Sequence, residues 1–203
     1  MKVYVIRHGS TDWNAEKRLQ GNSNTKLNEK GREQARKTSE ALKDIDFKYI
    51  FSSPLDRAYE TACILKRDRN IEVIKDDRLI EMGFGVDEGV TFEKRTPGCN
   101  VFFEAPGEYV PHETAESIES LFERTADFIY NVLVPLSEKE PDAKVLISGH
   151  GAMNKGLMGV FLKRDKARFW DGAWQRNCSI TTYEVNGKDF RMLEDGLNYC
   201  GLD

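Results

Sequence analysis

The sequence predicts a three-layer α/β fold, with a mostly parallel central sheet, helices on both of its faces and an inserted cap. Short β-rich runs alternate with segments of helical periodicity, which is the pattern of a parallel sheet. The chain has 203 residues, a length that suits one α/β domain, and we place that domain over residues 1–203. Residues 82–112 follow neither period and are punctuated by glycine and proline, so we predict that they form the cap.

Strands are predicted from short runs of β-branched and aromatic residues. They lie at Val3–Ile6, Lys48–Phe51, Ile71–Ile74 and Ala143–Ser148, and a hairpin joins Ser179–Val185 to Phe190–Glu194 across Asn186-Gly187. Helices are predicted from apolar spacing and from capping residues. One runs from Glu29 to Lys43 behind Asn28, one begins at Ser53-Pro54, one begins near Glu113 and is kinked or ended by Pro135, and one runs from Gly151 to Leu162.

The composition argues against several classes of protein. The formal net charge is −4 and both signs are mixed along the chain, which does not favour nucleic-acid binding. No apolar run is long enough for a membrane span, and the apolar start of the chain stops at Arg7, which favours a strand over a signal peptide. The four cysteines show no CxxC spacing, so we expect reduced thiols, no zinc site and a cytoplasmic location.

Three short motifs carry the candidate chemistry, and each follows a predicted strand. They are Arg7-His8-Gly9, Ser52-Ser53-Pro54 leading to Arg57, and Gly149-His150-Gly151. Active sites of open parallel sheets gather at the carboxyl ends of the strands, so two histidines and two arginines are expected in one crevice. This convergence is stronger support for a site than any of the motifs alone.

The residue types in this crevice fit phosphoryl chemistry. Arg7 and Arg57 can bind phosphate oxygens with planar paired donors. His150 adds a donor, and Gly151 can open a helix whose N–H groups face the anion. His8 can attack phosphorus through a neutral imidazole nitrogen, while its other nitrogen donates to a backbone carbonyl.

Glu81 is the candidate general acid, and it would become the general base for the attacking water. A loop carboxylate paired with an arginine is the alternative interpretation of Glu81. The chain has no GxxxxGK[ST] loop and no dense Asp/His cluster, which argues against a nucleotide-driven kinase or a two-metal phosphatase. We therefore expect neither a metal nor a cofactor.

The order of the motifs resembles the histidine phosphatase superfamily, which includes the cofactor-dependent phosphoglycerate mutases. The matching blocks are RHGSTDWN at residues 7–14, Gln20-Gly21, LNEKGREQA at 27–35, SSPLDRAYETA at 52–62, Leu79-Ile80-Glu81 with Phe84-Gly85 and Glu88-Gly89, and VLISGHG at 145–151. The resemblance implies a phosphate pocket, a proton donor and a cap after the donor. The residues implied are Arg7, His8, Arg57 and His150 for the pocket, Asn14 as a further phosphate ligand, and Glu81 as the donor.

Some residues of these blocks also have a structural interpretation. Asn14 can cap a turn, and Gln20-Gly21 is typical of turn chemistry, although we include all three in the substrate-binding set together with Gly151. Aromatic residues of the cap are more often core than a substrate clamp, and both alternatives stay open for them. These aromatics are Phe102, Phe103 and Tyr109.

Departures from the family pattern favour a phosphatase over a mutase. Phe84 stands where the mutases carry tyrosine, the cap is short, and Lys94-Arg95 only loosely replaces the arginine pair that binds a substrate carboxylate. We expect a hydrolase for small phosphorylated metabolites, with inorganic phosphate as product, that is a monomer or a homodimer. The alternatives are a phosphoglycerate mutase and a non-catalytic sensor of a phosphorylated ligand, which would predict a broken catalytic set.

Overall fold

A six-stranded sheet lies at the centre of the computed structural model, which describes residues 1–201. The strands are β1 (Lys2–Arg7), β2 (Tyr49–Ser52), β3 (Val73–Lys75), β4 (Lys144–Gly149), β5 (Ile180–Asn186) and β6 (Asp189–Leu197). Their order is β3-β2-β4-β1-β5-β6. The first four are mutually parallel, whereas β5 pairs with β1 in the antiparallel direction and β6 pairs with β5 in the antiparallel direction. This mostly parallel sheet confirms the predicted fold class.

Helices cover both faces of the sheet. They are α1 (Asp12–Ala15), α2 (Glu29–Ala41), α3 (Asp56–Lys66), α4 (Pro97–Glu104), α5 (Ile118–Phe128), α6 (Val134–Lys139) and α7 (Gly151–Phe161). Helices α2 and α3 pack on the face that carries Ile6 and Ile50, and α5, α6 and α7 pack on the face that carries Val5 and Ile147. Side chains of one strand alternate between the two cores because the strand period is two. No helix within residues 1–201 is long and apolar enough to cross a membrane.

The predicted start of the helix after β2 is wrong by two residues. Helix α3 begins at Asp56 with Leu55 in the N-cap position, not at Ser53-Pro54. The Ser53 hydroxyl accepts a hydrogen bond from the N–H of Leu55 at 3.3 Å, and this turn delays the helix. Ser53 is therefore left at the end of β2, where its side chain lies among the candidate site residues.

The long helix predicted from Glu113 begins later, and it is interrupted where proline predicts. Ser117 caps α5 by accepting a hydrogen bond from the N–H of Ser120 at 3.0 Å, so the helix starts at Ile118. A π-helical turn over Ile129–Leu133 joins α5 to α6, and Pro135 lies in the first turn of α6. Proline has no N–H to donate and its ring displaces the preceding turn, which accounts for the interruption.

The closing hairpin is present, but its turn is shifted by one residue from the predicted Asn186-Gly187. Asn186 pairs with Asp189, so the two turn residues are Gly187 and Lys188. Gly187 has φ +55°, the left-handed conformation that a tight hairpin turn requires and that glycine adopts most easily.

Residues 82–112 are more regular than their sequence pattern indicates. Helix α4 lies inside this segment, with Thr96 as its N-cap and Pro97 as its first residue. Proline is favourable at a first helical position because that N–H would be unpaired in any case. Phe102 of α4 is fully buried in the same core as α5 and α7. The division of the chain into a main domain and a cap stays a prediction.

Candidate active site

The ends of three neighbouring parallel strands bring the predicted residues together. In the order β2-β4-β1, the residues that follow each strand are Ser53, His150 and His8. The imidazole rings of His8 and His150 lie 5.2 Å apart between centroids, and both histidines are buried. The convergence expected from the three motifs is therefore present.

A backbone hydrogen bond fixes the ring of His8. Its Nδ1 lies 2.7 Å from the carbonyl oxygen of Gly9, and since a carbonyl can only accept, Nδ1 carries the proton. Nε2 of the neutral ring then keeps its lone pair. Burial, and next the positive charges of Arg57 and Arg7, hold the pKa of His8 well below its ordinary value of 6.5. His8 is therefore a neutral imidazole at neutral pH, as a nucleophile requires.

Arg57 enters the site from the first turn of α3. Its side chain is fully buried, and its terminal nitrogens donate to the carbonyl oxygens of Gly21 and Ser23, each at 2.7 Å. Burial lowers the pKa of Arg57 to about 10; Glu81 opposes this shift and Arg7 adds to it. Arg57 forms no ion pair within residues 1–201, and its Nε is a buried donor with no hydrogen-bond partner among them. A buried cation of this kind is stabilised by an incoming anion.

Gln20 and Gly21 lie behind Arg57 and not in the lining of the pocket described below. The Gln20 side-chain oxygen accepts from the hydroxyls of Thr11 and Thr25, and the Gly21 carbonyl accepts from Arg57. Gly21 has φ +52°, and a Cβ there would lie 2.1 Å from a carboxylate oxygen of Glu88, so the turn requires glycine. Gly21 therefore contacts Arg57 directly, whereas Gln20 is linked to it through the hydroxyl of Thr25, to which Arg57 donates at 3.5 Å.

His150 is held by the residue that follows β2. Its Nε2 lies 2.7 Å from the hydroxyl of Ser53, while its buried Nδ1 has no hydrogen-bond partner among residues 1–201. Burial, followed by the charges of Arg57, His8 and Arg7, keeps the pKa of His150 well below 6.5. His150 is thus a second neutral imidazole beside His8.

Glu81 contacts the N-terminus of α7, the helix that begins directly after His150. Its two oxygens accept hydrogen bonds from the N–H groups of Met82 (2.9 Å), Met153 (2.9 Å) and Ala152 (3.3 Å). Gly151 lies beside both Arg7 and Glu81, because a Cβ on it would be 3.8 Å from Arg7 Nε and from Glu81 Oε2, which is an ordinary van der Waals distance. The helix dipole and these N–H groups attract negative charge to this point.

Arg7 and Asn14 are tied to the loop that precedes β5. Arg7 Nη1 donates to the carbonyl oxygen of Gln175 at 2.5 Å. Asn177 donates from its side-chain amide to the carbonyl of His8 at 2.9 Å and to Oδ1 of Asn14 at 3.3 Å. Asn14 also forms a capping box with Thr11, so its Oδ1 is an acceptor and its amide nitrogen is the group that can donate to a ligand.

An aromatic pocket opens beside Arg7 and Glu81. It encloses about 480 Å³ of space, its open mouth included. Its lining consists of Arg7, Leu19, Glu81, Phe84, Phe92, Phe103, Gly151, Ala152, Trp170, Trp174 and Gln175. Of the cap aromatics, Phe103 lines this pocket, whereas Phe102 and Tyr109 are buried in the core.

The arrangement can bind a phosphoryl group and transfer it. Two arginine side chains, a neutral histidine donor and the N-terminus of α7 surround His8. Within residues 1–201, no group of three or more histidine, cysteine, aspartate or glutamate side chains is positioned to hold a metal ion.

A family model described as histidine phosphatase superfamily (branch 1) matches residues 3–196. The chain belongs to the histidine phosphatase superfamily.

Relatives in this superfamily include both phosphatases and mutases by name. "Uncharacterized phosphatase PhoE" of Bacillus subtilis (strain 168) is 34% identical over 77% of this chain and 75% of its own length. "Probable phosphoglycerate mutase GpmB" of Escherichia fergusonii is 40% identical over 97% of this chain and 89% of its own. The solved structure of a mycobacterial glucosyl-3-phosphoglycerate phosphatase in complex with VO3 has a TM-score of 0.88 and 29% identity, and it covers 97% of this chain and 99% of that one.

Three residues of this candidate site are not predicted by the sequence. Its sequence position predicts only that Ser53 begins a helix, and no pattern in the sequence indicates Gln175 or Asn177. The loop that carries the last two residues has no helical or strand period, and it contacts Arg7 and His8 across 168 and 169 positions of sequence. Only the position of Ser53 directly after a strand was a usable signal.

Proposed function

We propose that the protein is a metal-independent phosphatase that hydrolyses small phosphomonoesters through a phosphohistidine on His8. The observation that carries this proposal is the hydrogen bond from His8 Nδ1 to the Gly9 carbonyl, which leaves Nε2 as the nucleophilic atom beside Arg57 and Arg7. Its relatives named phosphatase and the vanadate complex of a structural neighbour support the same reaction class.

The reaction proceeds in two displacements at phosphorus. In the first, His8 Nε2 forms a P–N bond, the P–O bond to the alcohol breaks, and Glu81 gives a proton to the leaving oxygen. In the second, Glu81 takes a proton from water, the water oxygen bonds to phosphorus, and the P–N bond breaks to restore neutral His8. Arg7, Arg57 and His150 stabilise the charge on the phosphoryl oxygens in both steps.

Phosphoglycerate mutase is the second candidate, because the Escherichia fergusonii relative of that name is 40% identical along nearly the whole chain. A mutase must hold the carboxylate of its substrate while the phosphoryl group returns to a second hydroxyl. In the described lining of the aromatic pocket, Arg7 is the residue with a positive charge. In the proposed reaction Arg7 binds the phosphate, so it is not left to bind a carboxylate. We therefore rank hydrolysis first, and conversion of 3- to 2-phosphoglycerate faster than phosphate release would reverse the order.

The test is phosphate release from p-nitrophenyl phosphate in excess EDTA, together with trapping of the phosphoenzyme. We compare the wild type with His8→Ala, and use His112→Ala as the matched control because His112 is exposed and lies outside the site. We expect His8→Ala to lose about 10³-fold or more in kcat and to form no acid-labile phosphoenzyme, and His112→Ala to behave as wild type. Activity abolished by EDTA, or kept by His8→Ala, would contradict the mechanism.

A further inference from the structure

We propose that the leaving alcohol of the substrate carries an uncharged, ring-bearing apolar group, and that Trp174 and Phe103 select it. This inference rests on the proposed function, since it concerns the part of the substrate that extends from the phosphate into the aromatic pocket. It names a substrate class and two residues that determine specificity.

One wall of the pocket is a continuous series of aromatic rings. Phe84 stacks on Phe103 with centroids 6.3 Å apart at 18°, and Phe103 stacks on Trp170 at 5.5 Å and 15°. The polar atom of Trp170 is already used, because its Nε1 donates to the carbonyl of Phe102 at 2.8 Å. The wall therefore offers carbon surface, which a ring-bearing group can cover.

Trp174 is an exposed indole on an anchored backbone. Its side chain lies at the mouth of the pocket and the residue is 63% exposed. The residue before it, Ala173, donates to Asp195 at 2.6 Å, and the residue after it, Gln175, accepts from Arg7 at 2.5 Å. These bonds fix the backbone on both sides of Trp174, and its indole lies 6.3 Å from the Trp170 ring between centroids, so it extends the aromatic surface beside the phosphate site.

The charges around the pocket disfavour a carboxylate on the leaving group. Among the described lining residues, Arg7 is the one with a positive charge, and the proposed mechanism uses it to bind the phosphate, so the lining offers no second cation to a carboxylate on the leaving group. Arg95 does not line the pocket: its guanidinium stacks over the Phe92 and Phe103 rings at 4.9 and 4.3 Å, and its Nε donates to the carbonyl of Phe92.

A carboxylate has an alternative location beside Arg176. Arg176 lines a neighbouring cavity on the other side of Trp174, together with Arg7 and Asn177. A substrate that used this cavity would reach the same phosphate site from a polar side and would not need the aromatic wall. The aromatic pocket therefore predicts a preference for phosphomonoesters with an apolar ring, whereas the Arg176 cavity predicts a preference for phosphomonoesters with a carboxylate.

The first experiment compares three phosphomonoesters of primary alcohols, so that the reactivity of the leaving group is similar: propyl phosphate, 3-phenylpropyl phosphate and 3-phosphoglycerate. We expect kcat/KM to be about 10-fold higher for 3-phenylpropyl than for propyl phosphate, and lowest for 3-phosphoglycerate. Equal values for the first two, with hydrolysis of both, would overturn this inference and leave the proposed function standing. A preference for 3-phosphoglycerate would also overturn it, in favour of the Arg176 cavity.

Variants assign the preference to the pocket. We expect Trp174→Ala to lower kcat/KM for 3-phenylpropyl phosphate about 5- to 10-fold more than for propyl phosphate, chiefly through KM, with a smaller effect for Phe103→Leu. Trp174→Phe should restore most of the preference. Tyr130→Ala is the matched control, because Tyr130 is an exposed aromatic that packs on Phe190 away from the pocket, and it should leave the ratio unchanged. An unaltered ratio in Trp174→Ala would contradict the assignment.

Binding without turnover separates this inference from the proposed function. Titration of His8→Ala with 3-phenylpropylphosphonate and with propylphosphonate should show about 10-fold tighter binding of the first, with a change in tryptophan fluorescence that Trp174→Phe reduces. If no ester is hydrolysed but this preference remains, the proposed function fails, while selection of a ring-bearing group by the aromatic pocket is retained. Equal affinities would overturn the inference, whatever the activity.

Discussion

The hydroxyl of Ser53 lies 2.7 Å from Nε2 of His150 and also accepts a hydrogen bond from the N–H of Leu55 at 3.3 Å. The Ser53 hydroxyl can donate one hydrogen bond, and Nε2 of His150 lies within hydrogen-bond distance as an acceptor. We assign the proton of Ser53 to this bond, which leaves His150 protonated on Nδ1. The buried Nδ1, which has no partner among residues 1–201, is then a donor and not a lone pair, and we expect it to donate to a phosphoryl oxygen. Ser53 is thus a positioning residue that sets the tautomer of His150.

Removing the Ser53 hydroxyl should therefore impair phosphate binding without removing a catalytic group. We expect Ser53→Ala to lower kcat/KM about 5-fold, the value of one lost hydrogen bond, and to shift the ¹⁵N resonances of His150 toward a mixture of tautomers. Ser52→Ala is the matched control, since the Ser52 hydroxyl is also buried but donates to the backbone carbonyl of Ser53 at 2.8 Å. Unchanged ¹⁵N shifts in Ser53→Ala would contradict the tautomer assignment.

The proposed role of Glu81 predicts an effect that depends on the leaving group. Glu81→Gln cannot deliver a proton, so release of an alkoxide from propyl phosphate should slow about 10²- to 10³-fold. The burst of p-nitrophenolate from p-nitrophenyl phosphate should slow by less than about 10-fold, because this leaving group is stable without a proton. Both are measured by rapid quench, so that the later hydrolysis of the phosphoenzyme does not obscure the first step.

The control for Glu81 is Glu140→Gln, because Glu140 lies at the opposite edge of the sheet, where it accepts from the hydroxyl of Tyr49. Its burst rates should equal those of the wild type. Glutamine keeps one oxygen that can accept from the N–H of Met153, so α7 should remain intact. Equal losses for the two substrates would show that Glu81 positions other groups instead of transferring the proton.

The parts of the site that could be predicted from the sequence are those set by local structure. His8 and His150 follow β-rich runs directly, and parallel strands place their carboxyl ends along one edge. The donor–carbonyl contact of His8 was also predictable, since it spans one residue. Arg57 was predicted from its block, although the helix that carries it starts two residues later than expected.

The parts that could not be predicted depend on contacts between distant segments. Asn177 reaches His8 across 169 positions, and nothing in its own loop indicates which backbone it meets. The glycines and prolines of residues 82–112 predict an irregular segment, whereas Pro97 occupies the first position of helix α4, where proline is compatible with a helix. Phe102 is buried in the core and Phe103 lines the pocket, and this difference depends on how α4 packs against the core.

The low pKa of His8 predicts activity at acidic pH. Burial and the charges of Arg57 and Arg7 keep the ring neutral below 6.5, where an ordinary histidine would gain a proton. Substrate phosphate also ionises in this range, so the direct measurement is a ¹⁵N-detected titration of His8 in the ligand-free protein. We expect no protonation of His8 between pH 7.5 and about 5.5. A midpoint near 6.5 would contradict this prediction.

The same shift predicts how stability depends on pH. Below 6.5 the unfolded chain binds a proton at His8 and at His150, whereas the folded protein does not until a lower pH. The free energy of unfolding should therefore fall as pH decreases through 6.5, by up to about 1.4 kcal/mol per pH unit for each histidine. Urea denaturation at pH 7.5, 6.5 and 5.5 measures this slope, and His150→Asn should make it shallower. A slope that the substitution leaves unchanged would assign the dependence to other groups.

Close contact between two backbone segments keeps the loop of His8 in place, and Gly31 makes it possible. A Cβ on Gly31 would lie 2.1 Å from the carbonyl oxygen of Ser10, and one on Gly9 would lie 2.4 Å from the carbonyl oxygen of Gly31. Gly31→Ala should therefore push the start of α2 away from the loop, even though alanine favours helix by about 1 kcal/mol. We expect a loss of about 1–3 kcal/mol in the free energy of unfolding, with kcat/KM reduced about 10-fold.

Gly98→Ala is the matched control for Gly31→Ala, because it too lies in the first turn of a helix, where a Cβ would meet nothing within 4 Å. Helix propensity acts alone at that position, so the substitution should leave stability unchanged or raise it by up to about 1 kcal/mol. Urea denaturation of both variants and the wild type at one pH measures the difference. If the two substitutions changed stability in the same direction and by the same amount, the backbone contact at Gly31 would not be what holds the His8 loop.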